Sequence, residues 1–100
     1  MSSPKHLCDR GVVALAWGAV LREAREAARM SQESLAQRAQ IDRTYPSLLE
    51  RGLRTPTLPC IFAISDALGL NPAEVVARTW TAYRRLEHVH EPAVTLKSPS

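Results

Sequence analysis

The segment "DRTYPS", residues 42–47, concentrates side chains that can form hydrogen bonds with the bases of a nucleic acid. Arg43 carries a planar fork of donors, which fits a guanine edge or a phosphate. Thr44 can offer a hydroxyl to a base or a methyl group to thymine, and Ser47 follows about one helical turn later on the same side. If this segment opens a helix, these three residues face outward together, whereas Leu48 is either a further base contact or a core residue.

Other kinds of site chemistry find little support in the sequence. We find no glycine-rich phosphate loop, no Ser/His/Asp or Cys/His arrangement and no credible carboxylate pair. His88 and His90 have no partner cluster at metal-ligand spacing. Cys8 and Cys60 form no CxxC pattern, which favours a reduced, intracellular protein with Cys60 in the core, while one disulfide between them is the alternative. We therefore predict no enzyme activity, no cofactor, no metal and no small-molecule substrate.

Composition is compatible with an anionic partner but does not require one. The chain has 100 residues, enough for one domain with its own core. Its net charge is +3, and eleven of its thirteen basic residues are arginine. Glutamates alternate with arginines in "LREAREAAR", so a solvated helix face explains many of these arginines equally well.

The elements that must position these residues are helices. Alanine and leucine dominate, and runs of β-branched residues are short. Apolar residues spaced by three and four predict a first helix from Val13 to Met30. Its apolar run "VVALAWGAVL" has the length of a signal-peptide core, but it continues in helical register into "REAREAARM" and is too short to span a bilayer. We expect a cytoplasmic protein with no membrane association.

Four further helices follow from capping signals. Ser31 caps a second helix, Asp42 or Thr44 caps a third that ends at Arg51, and Thr57 caps a fourth from Leu58 to Leu68. The motif "NPAE" starts a fifth helix that reaches about Leu86. With no sheet to cover, these helices must pack on one another. The predicted core residues are Val20, Leu21, Ala24, Leu35, Ala39, Ile41, Leu48, Leu49, Leu58, Ile61, Ile64, Leu68, Leu70 and Val75.

Five pieces in this order carry a family resemblance: "LREAR", "SQESLAQRA", "DRTYPSLLERG", "RTPTL" and "ISDALGLNPAEV". Together they resemble the lambda-repressor-like helix-turn-helix family (Cro/CI or XRE type). The resemblance implies an all-α, compact five-helix DNA-binding domain with, in this chain, an extended C-terminal helix. It also implies a bacterial or phage transcriptional regulator, a repressor or autoregulator, that binds a palindromic operator in double-stranded DNA as a homodimer with helix 3 in the major groove.

The predicted organisation has four parts. Residues 1–12 form a flexible N-terminal segment, and residues 13–78 form the helix-turn-helix domain. Residues 79–88 form a C-terminal helix extension that contacts the second copy, and residues 89–100 form a disordered tail. A cytoplasmic, nucleoid-associated location follows from the resemblance.

The resemblance also implies roles for individual residues. The base-reading positions are Arg43, Thr44, Ser47 and Leu48. The phosphate-binding positions are Gln32, Tyr45, Arg51, Arg54 and Arg38, of which Arg38 equally fits a solvated face. Arg25 and Glu50 correspond to an ion pair that holds the recognition helix against the scaffold.

Two positions depart from the family pattern. Gln40 stands where the family usually has glycine, so it must adopt a left-handed conformation or the turn must shift. Pro46 stands where an apolar β-branched residue is usual, and its missing amide favours a later helix start with Thr44 as the cap. We expect a shortened or tilted third helix, with Arg43 and Thr44 approaching the groove from a loop-like segment.

The C-terminal helix raises the question of partners. Val76, Trp80 and Tyr83 repeat at four and three, which predicts an exposed apolar stripe that serves as a dimer interface. In the alternative arrangement, Trp80 and Tyr83 fold back onto Trp17 within one chain. An alternative function is a protein-binding module, such as the antitoxin of a toxin–antitoxin pair, with DNA binding secondary. A controller protein of a restriction–modification system is one kind of transcriptional regulator, and the sequence does not distinguish it from other regulators.

Overall fold

The computed structural model describes residues 9–90, with side chains described up to Glu87. Within that part the only regular elements are helices and there is no strand, so the predicted all-α class is confirmed. The helices are α1 (Arg10–Ala27), α2 (Gln32–Ala39), α3 (Tyr45–Glu50), α4 (Leu58–Leu68) and α5 (Pro72–His90). No single helix of this part is long and apolar enough to cross a membrane, whereas α4 and the segment Pro72–Glu87 meet the length and composition criteria only as a pair bent by 110°.

The ends of the two longest helices differ from those predicted. The carboxylate of Asp9 accepts hydrogen bonds from the amides of Gly11 (2.9 Å) and Val12 (3.2 Å), so α1 begins at Arg10 rather than at Val13. Residues 89 and 90, predicted as part of a disordered tail, are helical. The rest of the predicted terminal segments, residues 1–8 and 91–100, lies outside the described residues.

Side-chain caps start three of the other helices, as predicted. The Ser31 hydroxyl accepts from the Ser34 amide at 2.9 Å, and the Thr57 hydroxyl accepts from the Cys60 amide at 3.3 Å. The Asn71 side chain accepts from the Ala73 amide at 2.8 Å. Each bond satisfies an amide that the first turn of a helix leaves without an intrahelical partner.

Left-handed residues close the helices at their other ends. Gln40 has φ 57° and ψ 46°, so the helix-turn-helix turn is kept at the cost of strain on a residue with a side chain. Arg29 takes the same conformation after α1, with φ 59°. Of the two alternatives that the sequence left open at Gln40, the structure shows the left-handed conformation rather than a shifted turn, whereas the left-handed Arg29 is not predicted from the sequence.

Pro46 shortens α3 to six residues. The helix starts at Tyr45, so Pro46 is its second residue, where no intrahelical amide bond is required. Arg43 and Thr44 belong to the preceding turn, which the Tyr45 amide closes by donating to the Asp42 carbonyl at 2.9 Å. The proline ring itself is buried, so this residue also fills space in the core.

One core holds the five helices together, and its fully enclosed members come from α1 to α4. The buried cluster comprises Trp17, Val20, Leu21, Leu35, Ala39, Leu49, Cys60, Ile64 and Val75. Leu58 is a wrong prediction: its side chain is 58% exposed because it is the first residue of α4 and faces away from that cluster. Leu48 is only half-buried.

Candidate nucleic-acid interface

Arg43 and Thr44 lie side by side on the surface, in the turn that joins α2 to α3. Both side chains are exposed, whereas Ser47 and Leu48, one turn into α3, are half-buried. The most accessible of the predicted base readers therefore precede the helix instead of lining it. This placement agrees with a loop-like approach to the groove.

The hydroxyl of Thr44 is already engaged within the chain. It donates a hydrogen bond to the side-chain carboxylate of Asp42. An ionised carboxylate can only accept, so the single hydroxyl proton of Thr44 is committed to this contact. What Thr44 still presents to a ligand is a pair of acceptor lone pairs and a methyl group.

Three of the predicted phosphate-binding residues flank this turn. Arg51 and Arg54 are exposed and follow α3, while Arg38 is exposed in the last turn of α2. Tyr45 is half-buried, and its burial raises the pKa of its hydroxyl, with a smaller raising effect from Cys60 and an opposing effect from Arg54. Tyr45 therefore remains a protonated donor at neutral pH.

Gln32 makes a contact that the sequence did not suggest. Its side-chain amide donates to the Oε1 atom of Glu50 at 2.9 Å. The predicted role of this glutamine was a phosphate contact, and the residue is half-buried at the start of α2. The amide thus joins the start of α2 to the end of α3.

The ion pair expected between Arg25 and Glu50 is present and has two bonds. The Nε atom of Arg25 donates to Oε2 of Glu50 at 2.6 Å, and Nη2 donates to Oε1 at 3.1 Å. A third bond runs from Nη1 to the Met30 carbonyl at 2.7 Å. The hydrogen bond to Glu50 raises the pKa of Arg25, against the opposing effect of burial. Together with Gln32, this pair fixes α3 relative to both α1 and the α1–α2 turn.

Gly18 lets α1 approach the end of α3 closely. A Cβ atom added at this glycine would lie 2.4 Å from the Leu49 carbonyl oxygen and 2.7 Å from that of Glu50. Both atoms belong to the backbone, which cannot move aside as a side chain can. This contact could not be predicted from the sequence, because it joins residues that are far apart in the chain.

The predicted stripe on α5 is split between the core and the surface. Val76 and Trp80 are 47% and 57% exposed. Tyr83 is buried against Val12 and Ala16 of α1, so it cannot contribute an exposed dimer contact in this conformation. The prediction for Tyr83 is therefore corrected: the small residues of α1 leave room for its ring.

The exposed Trp80 side chain contacts two other side chains of α5. Its ring stacks on that of Tyr83, with centroids 5.7 Å apart, and the guanidinium of Arg84 lies 5.5 Å from the Trp80 ring centroid. Two nearby residues of the same helix, Val76 and Thr79, help to line an opening of about 180 Å³, hereafter the apolar pocket. Its walls come from Val13 and Trp17 of α1, the loop at 55–56, Ile61 of α4, and Val76 and Thr79 of α5.

Among residues 9–87, whose side chains the structure describes, no three or more His, Cys, Asp or Glu side chains come together in a group that could hold a metal ion. Cys60 is buried, and burial raises the pKa of its thiol. A buried neutral thiol behaves as a small apolar group.

Comparison with known proteins places this geometry in context. Residues 16–78 match the model of a helix-turn-helix domain family, HTH_31. The control protein C.BamHI of Bacillus amyloliquefaciens is 40% identical over 65 residues, which cover 64% of this chain and 80% of that protein.

Solved structures of similar shape include two kinds of bacterial protein. The restriction-modification controller protein C.AhdI from Aeromonas hydrophila is 39% identical, with a TM-score of 0.60, over 62% of this chain and 94% of that one. The clp gene regulator ClgR from Corynebacterium glutamicum is 25% identical, with a TM-score of 0.73, over 85% of this chain and 90% of that one. The latter likeness extends well beyond the 63 residues of the family match.

Proposed function

This chain belongs to the helix-turn-helix domain family, and we propose that it is a sequence-specific transcriptional regulator that binds a palindromic operator in double-stranded DNA as a homodimer. The observation that carries the proposal is the exposed pair Arg43 and Thr44 on a turn whose following helix is anchored by Glu50. Rigid support of this kind keeps base-contacting side chains in a fixed position. The similarity to controller and regulator proteins supports the same function.

The residues that contact bases directly lie in the turn before α3 and in the first turn of α3 itself. Arg43 donates to the O6 and N7 atoms of guanine, which is the commonest specific contact in the major groove. Thr44 contributes acceptor lone pairs and a methyl group, because its proton is held by Asp42. Ser47 and Leu48 lie deeper, so they contact bases only where α3 enters the groove.

Phosphate contacts position the protein without reading sequence. Arg51, Arg54 and Arg38 supply charge around the turn, and Tyr45 supplies a neutral donor. Gln32 has a second amide hydrogen beyond the one given to Glu50, so it can serve both the anchor and a phosphate. Neutralising several phosphates makes affinity fall steeply with salt.

The homodimer fits the geometry of a palindrome, because two copies related by a two-fold axis meet two half-sites about 34–36 Å apart. Val76 and Trp80 are the exposed apolar residues of α5 that we assign to the contact. We further propose that the protein represses or autoregulates transcription, acts in the cytoplasm at the nucleoid, and has no enzyme activity.

A second function is favoured by a different surface. Leu58 and Phe62 lie four residues apart on α4 and are 58% and 53% exposed. An apolar pair of this kind suits a protein partner, as expected of an antitoxin-type module in which DNA binding is secondary. A stable one-to-one complex and DNA affinity with weak salt dependence would support this alternative.

The deciding experiment is selection of bound sites from a random double-stranded DNA pool. The parent protein is compared with Arg43→Ala and with Arg22→Ala, a matched control because Arg22 is exposed on α1 and pairs with Glu26. A palindromic motif whose guanine preference relaxes only in Arg43→Ala supports the regulator. Absence of any enriched motif with folded protein would refute direct base reading.

A further inference from the structure

We propose that the apolar pocket is the receptor for Trp80 of a second copy, exchanged reciprocally across an antiparallel pair of α5 helices. This inference rests on the homodimer of the proposed function, and it names the residues that form the contact. It is independent of which bases are read.

The size and lining of the apolar pocket fit one side chain. Its volume of about 180 Å³ is below the roughly 300–1,000 Å³ of sites that hold drug-sized ligands. Its polar side chains are limited to Thr55 and Thr79, and the Thr79 hydroxyl already donates to the Val75 carbonyl at 2.9 Å. An apolar side chain therefore enters at little cost in lost hydrogen bonds.

Trp80 is the largest exposed apolar side chain in the described chain, and on α5 it follows the pocket residue Val76 by about one helical turn. Val76 forms part of the pocket wall, and Trp80 follows it at the spacing of neighbours on a helix surface. The two face the same side, so a surface that covers one covers the other. Within its own chain Trp80 stacks on Tyr83 and is not one of the residues that line the pocket.

A two-fold axis between these residues brings pocket and tryptophan together. In an antiparallel pair of identical helices, positions that are equally far from the axis in opposite directions face each other. If the axis crosses α5 midway between Val76 and Trp80, Val76 of one copy faces Trp80 of the other, and the reverse holds as well. The exposed alanines on this face, Ala73 and Ala77, allow the two backbones to approach.

The charges of α5 are complementary in that arrangement. Glu74 stands at the start of the helix, while Arg84 and Arg85 stand near its end. Antiparallel pairing in this register places Arg84 about two residues, or roughly 3 Å along the axis, from Glu74 of the second copy. In the isolated chain Glu74 pairs with Arg78 and Arg84 with Glu87, both on the surface, so these groups can exchange partners at little cost. A parallel pairing would instead oppose like charges.

Filling the pocket also affects a loop on the proposed DNA-binding side of the protein. The wall at residues 55–56 belongs to the loop that follows α3 and carries Arg54. A tryptophan seated against this wall fixes the loop in each copy. Association through the pocket therefore orders a phosphate-binding segment of each copy.

The test measures association of the full chain by sedimentation equilibrium without DNA, so that failure of this contact and failure of base reading are scored separately. We expect Trp80→Ala to weaken the dimer by at least about 30-fold, the loss typical of a buried tryptophan anchor. Phe62→Ala is the matched control, since Phe62 is an equally exposed aromatic residue on α4, and it should stay within about threefold of the parent. Equal weakening by both variants, an unaffected Trp80→Ala dimer, or a parent that stays monomeric at micromolar concentration would each overturn the proposal.

Four further variants make the test independent of the Trp80→Ala truncation. Thr79→Leu fills the pocket while leaving Trp80 in place, so it should weaken the dimer as Trp80→Ala does, with circular dichroism confirming that it is folded. Glu74→Arg and Arg84→Glu should each weaken association by at least about threefold, and the double variant should restore it because the pair is only inverted. A double variant as weak as the two singles combined would exclude the antiparallel register.

Discussion

Arg25 and Glu50, 25 positions apart in the chain, meet through two hydrogen bonds whose shorter one is 2.6 Å. Their side chains are only 13% and 4% exposed. The pair lies where α1, the α1–α2 turn and the end of α3 converge, so the orientation of α3 and of the turn before it depends on this pair. Its carboxylate accepts three bonds in all, counting that from Gln32.

Removal of this carboxylate should destabilise the fold strongly. We expect Glu50→Ala to lower the free energy of unfolding by roughly 3–5 kcal/mol, because it leaves the Arg25 charge buried without its partner. Urea denaturation of parent and variant measures the difference. The matched control is Glu26→Ala, whose partner Arg22 is exposed, and which should stay within about 0.5 kcal/mol of the parent. Equal stability of the two variants would contradict an anchoring role.

Gly18 should tolerate no side chain. Gly18→Ala is expected to lower the free energy of unfolding by about 1–3 kcal/mol, since the new methyl group meets two backbone carbonyls and α1 must shift away from α3. Gly11→Ala is the control, because its Cβ meets only the Asp9 side chain, at 3.3 Å. That control should gain some of the 0.5–1 kcal/mol by which alanine exceeds glycine within helices. A neutral Gly18→Ala would mean that the two helices can separate freely.

The arginines around the turn should divide into two classes by their effect on DNA binding. Arg43→Ala is expected to cost about 1–3 kcal/mol on the selected operator and to relax one guanine position. Arg54→Ala should weaken binding to all sequences alike and reduce the salt slope by about 0.9. Fluorescence anisotropy titrations at several salt concentrations measure both quantities. If Arg43→Ala weakened binding equally on all sequences, Arg43 would contact phosphate rather than a base.

The turn between α2 and α3 stores strain that glycine should relieve. Gln40→Gly is expected to raise the free energy of unfolding by about 0.5–1 kcal/mol, because glycine adopts φ 57° without the steric cost borne by glutamine. Arg38→Gly, two residues earlier and inside α2, should instead lose about 1 kcal/mol. Thermal unfolding of the three proteins checks the opposite signs. Destabilisation by both variants would show that Gln40 contributes a contact worth more than its strain.

Alkaline pH should weaken the fold through Cys60. Burial raises the pKa of its thiol in the folded state above the ordinary value of 9.0, so the native protein holds this proton more tightly than the unfolded chain does. The resulting stability is complete below pH 9.0 and declines as the pH rises from that value through the folded-state pKa. Denaturation of parent and Cys60→Ala between neutral pH and pH 10 measures the slope. Cys60→Ala should show the shallower decline, and parallel curves would contradict the prediction.

The sequence predicted those features that depend on neighbouring residues. The caps at Ser31, Thr57 and Asn71 and the short α3 all follow from local chemistry, and the structure has each of them. The start of α1 was placed three residues late because periodicity outweighed the capping carboxylate of Asp9. Local signals thus suffice to predict the helices, although the predicted end of a helix can be wrong when two such signals conflict.

Features that depend on packing between helices could not be predicted from the sequence. Periodicity placed Tyr83 on a stripe with Trp80, but it cannot tell which edge of the stripe faces α1. Contacts such as Gln32 with Glu50, or Gly18 with the end of α3, join residues distant in the chain. The candidate reading turn could be predicted from its residues, whereas the anchor behind it was accessible only through family resemblance.

Pro46 lies at the boundary between residues that are packed in the core and residues that are exposed. Its buried ring and the helix that follows it are tied to the core, while residues 42–44 just before it are exposed. Under the proposed function, substitutions at Arg43 or Thr44 are expected to change the operator that is recognised while leaving the free energy of folding almost unaltered. A randomised library confined to these three positions is therefore the natural starting point for redirecting the protein to new DNA sequences.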